Sequence, residues 1–499
     1  MTLHPRTKAE ESNWQETSLH ADVLRFLEEL RKRGDARFQL SSFGASPEGR
    51  ALPLVVLSRD GIRTPEEAQR SGRPIVLVIN GIHAGEVEGK EASLMLMRDW
   101  LDGRHAGLFD ELVTVVVPLF NPDGNDRIDP KNRELNLHKL EGQIGPPKGV
   151  GTRVNASGVN LNRDYMKQEA PETRLLHARV FRPWRAHLSI DCHATNGSVH
   201  RFALTYDTPH TIESGRREPI EYMRQRLLPE VTRRLAARTG LNTFFYGNFV
   251  GDEGGSGQGW MTYPNHPRFG GNFRGLSNRM DLLLETYSYL PFPERVRTTY
   301  EFLVETLRYT AEHGREMIGI VERSVMPPKR VAVRCRIEAE PGEVEILTRE
   351  PRTLEGAPTS VRIPHFAKFV GTEVVERPWA YVVPQVCAEH LELHGLQVET
   401  LTREVPALLS VARIGAAAAE SNRAILESSA ERELSATHSV ERRTLAAGTR
   451  YVRTEQPLGA IAVYLCEARS DDGFVQCGVL PEPAPGSEYP VSRVLEPLA

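Results

Sequence analysis

Cysteine is scarce in this chain of 499 residues: Cys192, Cys335, Cys387, Cys466 and Cys477 are odd in number, widely spaced and without a CxxC pair. Neither a disulfide framework nor a cysteine-based zinc site is expected. Any metal would have to be held by histidine and carboxylate. An excess of one charge is also missing, since 62 Lys and Arg face 66 Asp and Glu for a formal net charge of −4. That balance gives no electrostatic case for binding nucleic acid or an anionic membrane. No apolar run approaches the roughly 20 residues needed to span a bilayer. The opening MTLHPRTKAEESNWQE is polar and lacks the apolar core of a secretory signal. These absences lead us to expect a soluble, cytoplasmic protein.

What is present is ordinary globular material, 40% apolar and 26% charged, in a chain long enough for two domains. Residues 20–315 alternate helical and strand signals. HADVLRFLEELRKRG (20–34), EVEGKEASLMLMRDWL (86–101), EYMRQRLLPEVTRRLAART (221–239) and the stretch 292–314 carry helical spacing. RALPLVVLSR, PIVLVIN, VTVVVPLF, HLSIDCH and RMDLLLETYS read as strands. Alternation of this kind predicts an α/β fold, a central sheet flanked by helices, with its sites at strand ends. Near VMPPKR (325–330) the character changes to short β-type runs, among them RVAVRCRIEA, SVRIPHF, WAYVVPQV, TRYVRT and GAIAVYL. The expected division is a first domain over 1–325 and a smaller, β-rich second domain over 326–499. The stretch 415–448 shows no clear strand pattern and reads as a helix or a connector.

Four stretches carry candidate chemistry. GIHAGE (81–86) follows an apolar strand and sets His83 and Glu86 three residues apart, where both can reach one point. Zinc accepts such N and O donors; a surface histidine beside a glutamate that suits a helix N-terminus is the plainer alternative. SIDCH (189–193) ends another apolar strand with His193, a candidate third ligand or a backbone-bonded strand-end histidine. Cys192 should face the opposite side of the sheet from His193, because strand side chains alternate. RVNASGVNLNRDY (153–165) is dense in Arg and Asn, a combination that suits an anionic substrate terminus or a polar turn with an ion pair. LLLET (282–286) places Glu285 behind an apolar run, where a carboxylate must be paired or functional.

In this order the motifs resemble the zinc carboxypeptidases of the M14 (funnelin) family. GIHAGE is similar to the first ligand motif, NPDG (121–124) to the turn after the next strand and RVNASGVNLNRD to the substrate-carboxylate motif; SIDCH resembles the third-ligand motif and LLLET the motif of the catalytic glutamate. The resemblance covers about residues 20–315, and the later β-rich part looks like an extension found in some bacterial members. It implies one zinc per chain on His83, Glu86 and His193, two histidines and a glutamate as in carboxypeptidase A. It implies Glu285 as the base toward a metal-bound water and Arg153, nine residues before Asn162, as the group steadying the oxyanion. Arg127 and Arg133 fit that spacing less well. Asn162 and Arg163 would clamp a terminal carboxylate, and Tyr263 stands where the family's mobile tyrosine would be.

The sequence departs from the family pattern in three places. Asn160 replaces the acidic residue expected two positions before Asn162, so the partner of His83 is neutral. The tyrosine assignment is open, and neither GGSGQGW nor RFGGNFRG marks the floor of a side-chain pocket. The implied activity is hydrolysis of the amide bond before a C-terminal amino acid, on a peptide or acyl-amino-acid substrate with a free carboxylate. An N-acyl amino acid deacylase with the same zinc chemistry is the alternative.

Overall fold

The computed structural model describes residues 4–105, 107–250, 259–415 and 434–498. The first sheet has eight strands: β1 (Phe38–Ala45), β2 (Ala51–Leu57), β3 (Ile75–Asn80), β4 (Val113–Val117), β5 (Leu188–Ala194), β6 (Leu204–Asp207), β7 (Thr243–Phe245) and β10 (Met280–Thr286). Their order is β1-β2-β4-β3-β5-β10-β6-β7. The central strands β4, β3, β5 and β10 are parallel, while β1 runs antiparallel to β2, β2 to β4 and β6 to β10. This is the mixed central sheet flanked by helices that the alternation predicts.

Strand alternation divides the sheet into two unlike faces. Val76 and Val78 of β3, Leu188, Ile190 and Cys192 of β5, and Leu282 and Leu284 of β10 join one apolar cluster. Helices His20–Arg31, Glu88–Leu101, Leu228–Thr239 and Phe292–Arg323 contribute to that cluster. Cys192 therefore lies away from His193, packed so closely against Gly89 that a side chain at Gly89 would overlap it. The opposite face is apolar at Ile75, Leu77 and Ile79 but polar at the centre, with Ser189, Asp191 and His193 on β5 and Asp281 and Glu285 on β10. The parallel register sets Glu285 beside His193 and Leu283 beside Asp191. A polar stripe thus crosses a sheet whose other face is hydrocarbon.

Helix Phe292–Arg323 continues well past Gly314, where the helical spacing read from the sequence ends. That glycine lies against Pro74, and a Cβ would collide with the proline ring. It serves close approach to the sheet, not termination.

The later part of the chain forms two further sheets. β11 (Arg330–Glu350) and β12 (Ala357–Glu376) make one long antiparallel hairpin, which continues through β9 (Gly259–Met261) to β8 (Asn248–Val250). The hairpin therefore shares a sheet with a segment of the first half. The third sheet has the order β14-β17-β13-β18-β15-β16, from β13 (Ala380–Val383), β14 (Val398–Thr400), β15 (Val405–Ile414), β16 (Ala436–Leu445), β17 (Arg450–Arg453) and β18 (Glu488–Val494). One apolar cluster joins Leu77 and Ile79 of the central sheet to Val331, Tyr381 and Val463 of this later part.

Two local expectations are corrected. GAIAVYL is not a strand but the helix Gly459–Cys466, with every residue buried. A segment apolar on all sides carries neither a two-residue nor a 3.6-residue signal, so strand and helix look alike in it. Of 415–448, residues 416–433 lie outside the described residues, and 436–445 form strand β16 rather than a helix or connector. β16 is an edge strand with most of its residues exposed, so its charged sequence THSVERRT shows no apolar face.

Candidate metal and catalytic site

The turn after β3 is built for close approach. Gly81 takes φ +69°, and a Cβ on Gly85 would meet the carbonyl of Gly151 at 2.8 Å and the Arg133 side chain at 2.9 Å. The chain then closes with Glu86 N–H donating to His83 O at 3.0 Å, which puts both side chains on one side of the turn. His83, Glu86 and His193 are all buried and converge. His83 Nδ1 lies 3.1 Å from Glu86 Oε1, His193 Nδ1 lies 2.9 Å from Glu86 Oε2, and the two Nδ1 atoms are 3.2 Å apart. Donors about 2.0–2.1 Å from a tetrahedral zinc are separated by about 3.3 Å, so the triangle has the size the ion requires.

The outer partner of the His83 ring fixes which of its nitrogens faces inward. Asn160 Oδ1, which also accepts from Asn162 N–H, lies 3.1 Å from His83 Nε2, so that nitrogen carries the proton and Nδ1 offers its lone pair. On the other side His193 Nε2 lies 3.2 Å from Asp191 Oδ1. Two ring nitrogens and a carboxylate about 3 Å apart are an electron-rich set that needs a positive charge among them. Without a metal that charge is a proton. Burial alone would lower His193, but Asp191 and Glu86 outweigh it and hold the ring well above its ordinary value. His83 goes the other way, pushed down to about 4 by burial and by the Arg153 guanidinium. Glu86, despite burial, is held well below the carboxylate range by His83, Arg133 and His193. The donor set fits zinc.

The two arginines near this centre have separate places. Arg133 is tucked behind Glu86: Nη1 donates to Glu86 Oε1 at 2.9 Å, Nε to Gln143 Oε1 at 2.7 Å, and Nη2 to Thr195 O and Ser288 Oγ at 3.0 and 3.1 Å. With its donors engaged in the protein, it orients Glu86. Arg153 is more open, at 33% side-chain exposure against 13% for Arg133, and lines the cleft. Its Nη1 is 3.2 Å from His83 Nδ1 and 3.5 Å from Glu86 Oε1. Asn162 and Arg163 follow on a short 3-10 turn, Leu161–Arg163, and line the same cleft. Asn162 Oδ1 accepts from Gly270 N–H at 2.9 Å, which leaves its amide nitrogen, 3.5 Å from His193 Nε2, as the donor. The Arg163 guanidinium lies 4.0 Å from the centre of the Phe269 ring, a cation–π contact that fixes its direction.

His83, Glu86, Arg153, Asn162 and Arg163 open on one cavity of about 370 Å³, together with Glu285 and Tyr263. Burial raises the Glu285 carboxyl to about 8; His193, Arg133 and Arg153 pull it down and Glu86 pushes it up. Tyr263 packs its ring against His210 and Phe269, with centroids 4.3 and 5.5 Å away, and its hydroxyl lies in the field of Asp207 and Asp281. A second tyrosine, Tyr246, lines the cavity in the field of Glu285, Glu86 and Arg153, and its oxygen accepts from Asn248 Nδ2 at 3.3 Å. The wall carrying Met261, Thr262 and Tyr263 is braced by the long hairpin: β9 pairs with β12, and Thr262 N–H donates to Phe366 O at 3.1 Å.

The sequence motifs do not single out three groups that the structure adds. Asp191 faces the metal triangle and also accepts from Arg274 Nη2 at 2.7 Å; Arg274 in turn pairs with Asp281 and donates to Tyr165 OH at 3.2 Å. His193 and Arg274 outweigh burial to hold Asp191 below the usual carboxylate range, whereas burial lifts Asp281 to about 6. The signal that marks Asp191 and Asp281 is the period of two: they share a face with His193 and Glu285. Arg274, on the helix Gly270–Leu276, has no sequence signature.

Residues 23–203 match the family described as zinc carboxypeptidase, Peptidase_M14. Carboxypeptidase 2 of Trichophyton tonsurans is 22% identical over 472 residues, covering 90% of this chain and 81% of that protein. Carboxypeptidase D of Mus musculus is 29% identical over 163 residues, 28% of this chain and 11% of that protein. Among solved structures, a metallo-carboxypeptidase from Pseudomonas aeruginosa gives a TM-score of 0.42 at 18% identity, covering 60% of this chain and 69% of its own. No helix among the described residues is long and apolar enough to cross a membrane. Residues 23–203 thus carry a zinc carboxypeptidase domain of the M14 family, and nearly the whole chain is similar to a metallocarboxypeptidase.

Proposed function

We propose that the protein releases a C-terminal amino acid from a peptide or acyl-amino-acid substrate, with residues 1–325 as the catalytic unit and 326–499 as a β-rich unit that shores up the cleft. The observation that carries this reading is a buried His83, Glu86 and His193 triangle whose His83 and Glu86 share one cavity with Glu285, Arg153 and Arg163. A zinc ion held by His83, Glu86 and His193 would supply Lewis acidity and an activated water. The chain's own groups account for the rest.

Arg163 and the Asn162 amide nitrogen receive the terminal carboxylate of the substrate, Arg163 being held in place by Phe269. The terminal side chain then lies along Met261, Thr262, Tyr263 and Leu283, in a pocket whose wall the hairpin supports. Arg153 lies close enough to the metal triangle to meet the scissile carbonyl oxygen as it gains charge. Glu285, on the strand beside His193, takes the proton of the attacking water and passes it to the departing amine. Its raised affinity for protons suits the second half of that transfer.

The N-acyl amino acid deacylase reading uses the same groups. The bracing of the 259–263 wall by the hairpin favours it to the extent that the cleft admits only short acyl groups. One panel tests both: N-acyl amino acids, tripeptides and hexapeptides, each with a free and an amidated C-terminus, with and without chelator. Carboxypeptidase action requires cleavage of free-acid peptides of every length, loss on amidation and recovery from chelation by added zinc. Cleavage of acyl amino acids alone would select the deacylase, and equal cleavage of amidated peptides would overturn the carboxylate clamp.

A further inference from the structure

Behind the catalytic cleft, where the central sheet meets the later part of the chain, lies a second cavity of about 410 Å³. Ser189 lines it and Asp191 lines the cleft, so the two cavities are successive steps along one face of β5. Arg182, Arg185, Arg274 and Arg279 line the second cavity, and no Asp or Glu does. Arg274 is already neutralised by Asp191 and Asp281. The other three form no ion pair with a described residue: Arg182 reaches only the Glu392 carbonyl at 3.5 Å, and Arg279 only the Arg185 carbonyl at 3.5 Å. Most other arginines of the chain sit beside carboxylates, so this cluster is an exception that needs a reason.

The floor gives an independent indication. His177 lines the cavity, is buried, and lies in a π-type turn, His177–Phe181, that interrupts the helical stretch 171–184. Such turns recur at functional sites. The Gln168 side-chain amide donates to Nδ1 of His177 at 3.2 Å and to Nδ1 of His394 at 2.9 Å. The neutral His177 ring therefore carries its proton on Nε2, and that buried N–H has no acceptor. Phe181 and Phe273 supply an apolar wall.

We propose that this seam cavity binds a small organic oxyanion, a carboxylate or phosphate on an apolar body, through Arg182, Arg185 and Arg279. Guanidinium groups suit either oxyanion through paired N–H donors. Burial, reinforced by Arg185 and only partly opposed by Glu322, pushes Arg279 down to about 10, so a bound anion would relieve a real electrostatic cost.

The test is calorimetric titration of the full, zinc-loaded chain with phenyl phosphate, benzoate, inorganic phosphate and phenol. Saturable binding is expected for phenyl phosphate or benzoate, and the preferred one identifies the headgroup. Inorganic phosphate should bind at least tenfold more weakly and phenol not measurably. Because the cleft also holds arginines, two variants separate the sites. Arg182→Ala/Arg185→Ala should weaken binding at least tenfold, while Arg163→Ala should leave it unchanged. Arg182 and Arg185 are exposed, so the double variant should fold, and its unliganded melting temperature checks that. Should it fail, Arg279→Gln takes its place with the same expectation. No saturable binding of either oxyanion, or binding lost in Arg163→Ala and kept in the seam variants, overturns the proposal. Binding is read directly, so either result leaves the hydrolytic assignment standing or falling on its own panel.

Discussion

The two histidines of the candidate metal triangle are held by different chemistry. Behind His83 stands Asn160, a neutral amide whose oxygen is shared with the Asn162 N–H. Behind His193 stands a buried chain of charges, Asp191 to Arg274 to Asp281, with Tyr165 at its side. A carboxylate partner raises the basicity of a ligating imidazole more than an amide does, and it fixes the ring as well. The His193 side therefore supplies charge and rigidity, while the His83 side supplies direction. The difference also shows in the protons: His193 is driven up and His83 down, each with burial opposed or assisted by a different neighbour.

The largest expected effect lies at Glu285, on the strand beside His193. Glu285→Gln should retain one zinc per chain by elemental analysis and lose about 10²–10⁴-fold in kcat/KM, the usual worth of a positioned acid–base group. Undiminished turnover would remove Glu285 from the chemistry. Next in size is the charged chain itself. Arg274→Gln leaves Asp191 and Asp281 buried together without their cation, and breaking a buried pair in this way costs about 3–5 kcal/mol. A matching fall in urea-unfolding free energy is expected for the zinc-free protein, and a loss below about 1 kcal/mol would show that the chain does not hold this face together. Asp191→Asn acts on the metal directly. It should weaken zinc affinity about 10–100-fold in a chelator competition. An effect no larger than that of Asn160→Ala would erase the distinction between the two sides.

Much of this site could be read from the chain, for a definite reason. His83, Glu86, His193 and Glu285 each end an apolar strand or follow one, so hydrophobic pattern locates them and chemistry names them. Asp191 and Asp281 obey the same alternation, yet sit inside strands where a carboxylate looks like an interruption; only the register of β5 with β10 shows that they share one cation. Arg133 and Arg153 are alike in type; spacing to Asn162 favoured Arg153, and placement adds that Arg133 stands behind Glu86 while Arg153 lines the cleft. The long hairpin was legible as β structure, but its pairing with β9 joins residues about a hundred positions apart and leaves no local trace. The helix Gly459–Cys466 failed for the opposite reason, since complete burial erases periodicity altogether.

The smallest expected effect is the one that isolates the contrast most cleanly. Asn160→Asp converts the His83 side to the chemistry of the His193 side with almost no change in shape. The new carboxylate can still accept from both His83 Nε2–H and Asn162 N–H, so the turn should stand. It adds a negative charge beside a ring that Arg153 and burial hold at low proton affinity. Zinc affinity should rise, by at most about tenfold given the range for such outer partners, and the pKa of His83 in the zinc-free protein should rise with it, visible in the imidazole proton shifts. If affinity rises without a change in His83, the added charge acts on the ion through space. If neither changes, the amide already orients the ring fully, and the unequal partners of the two histidines differ in stability rather than in what they give the metal.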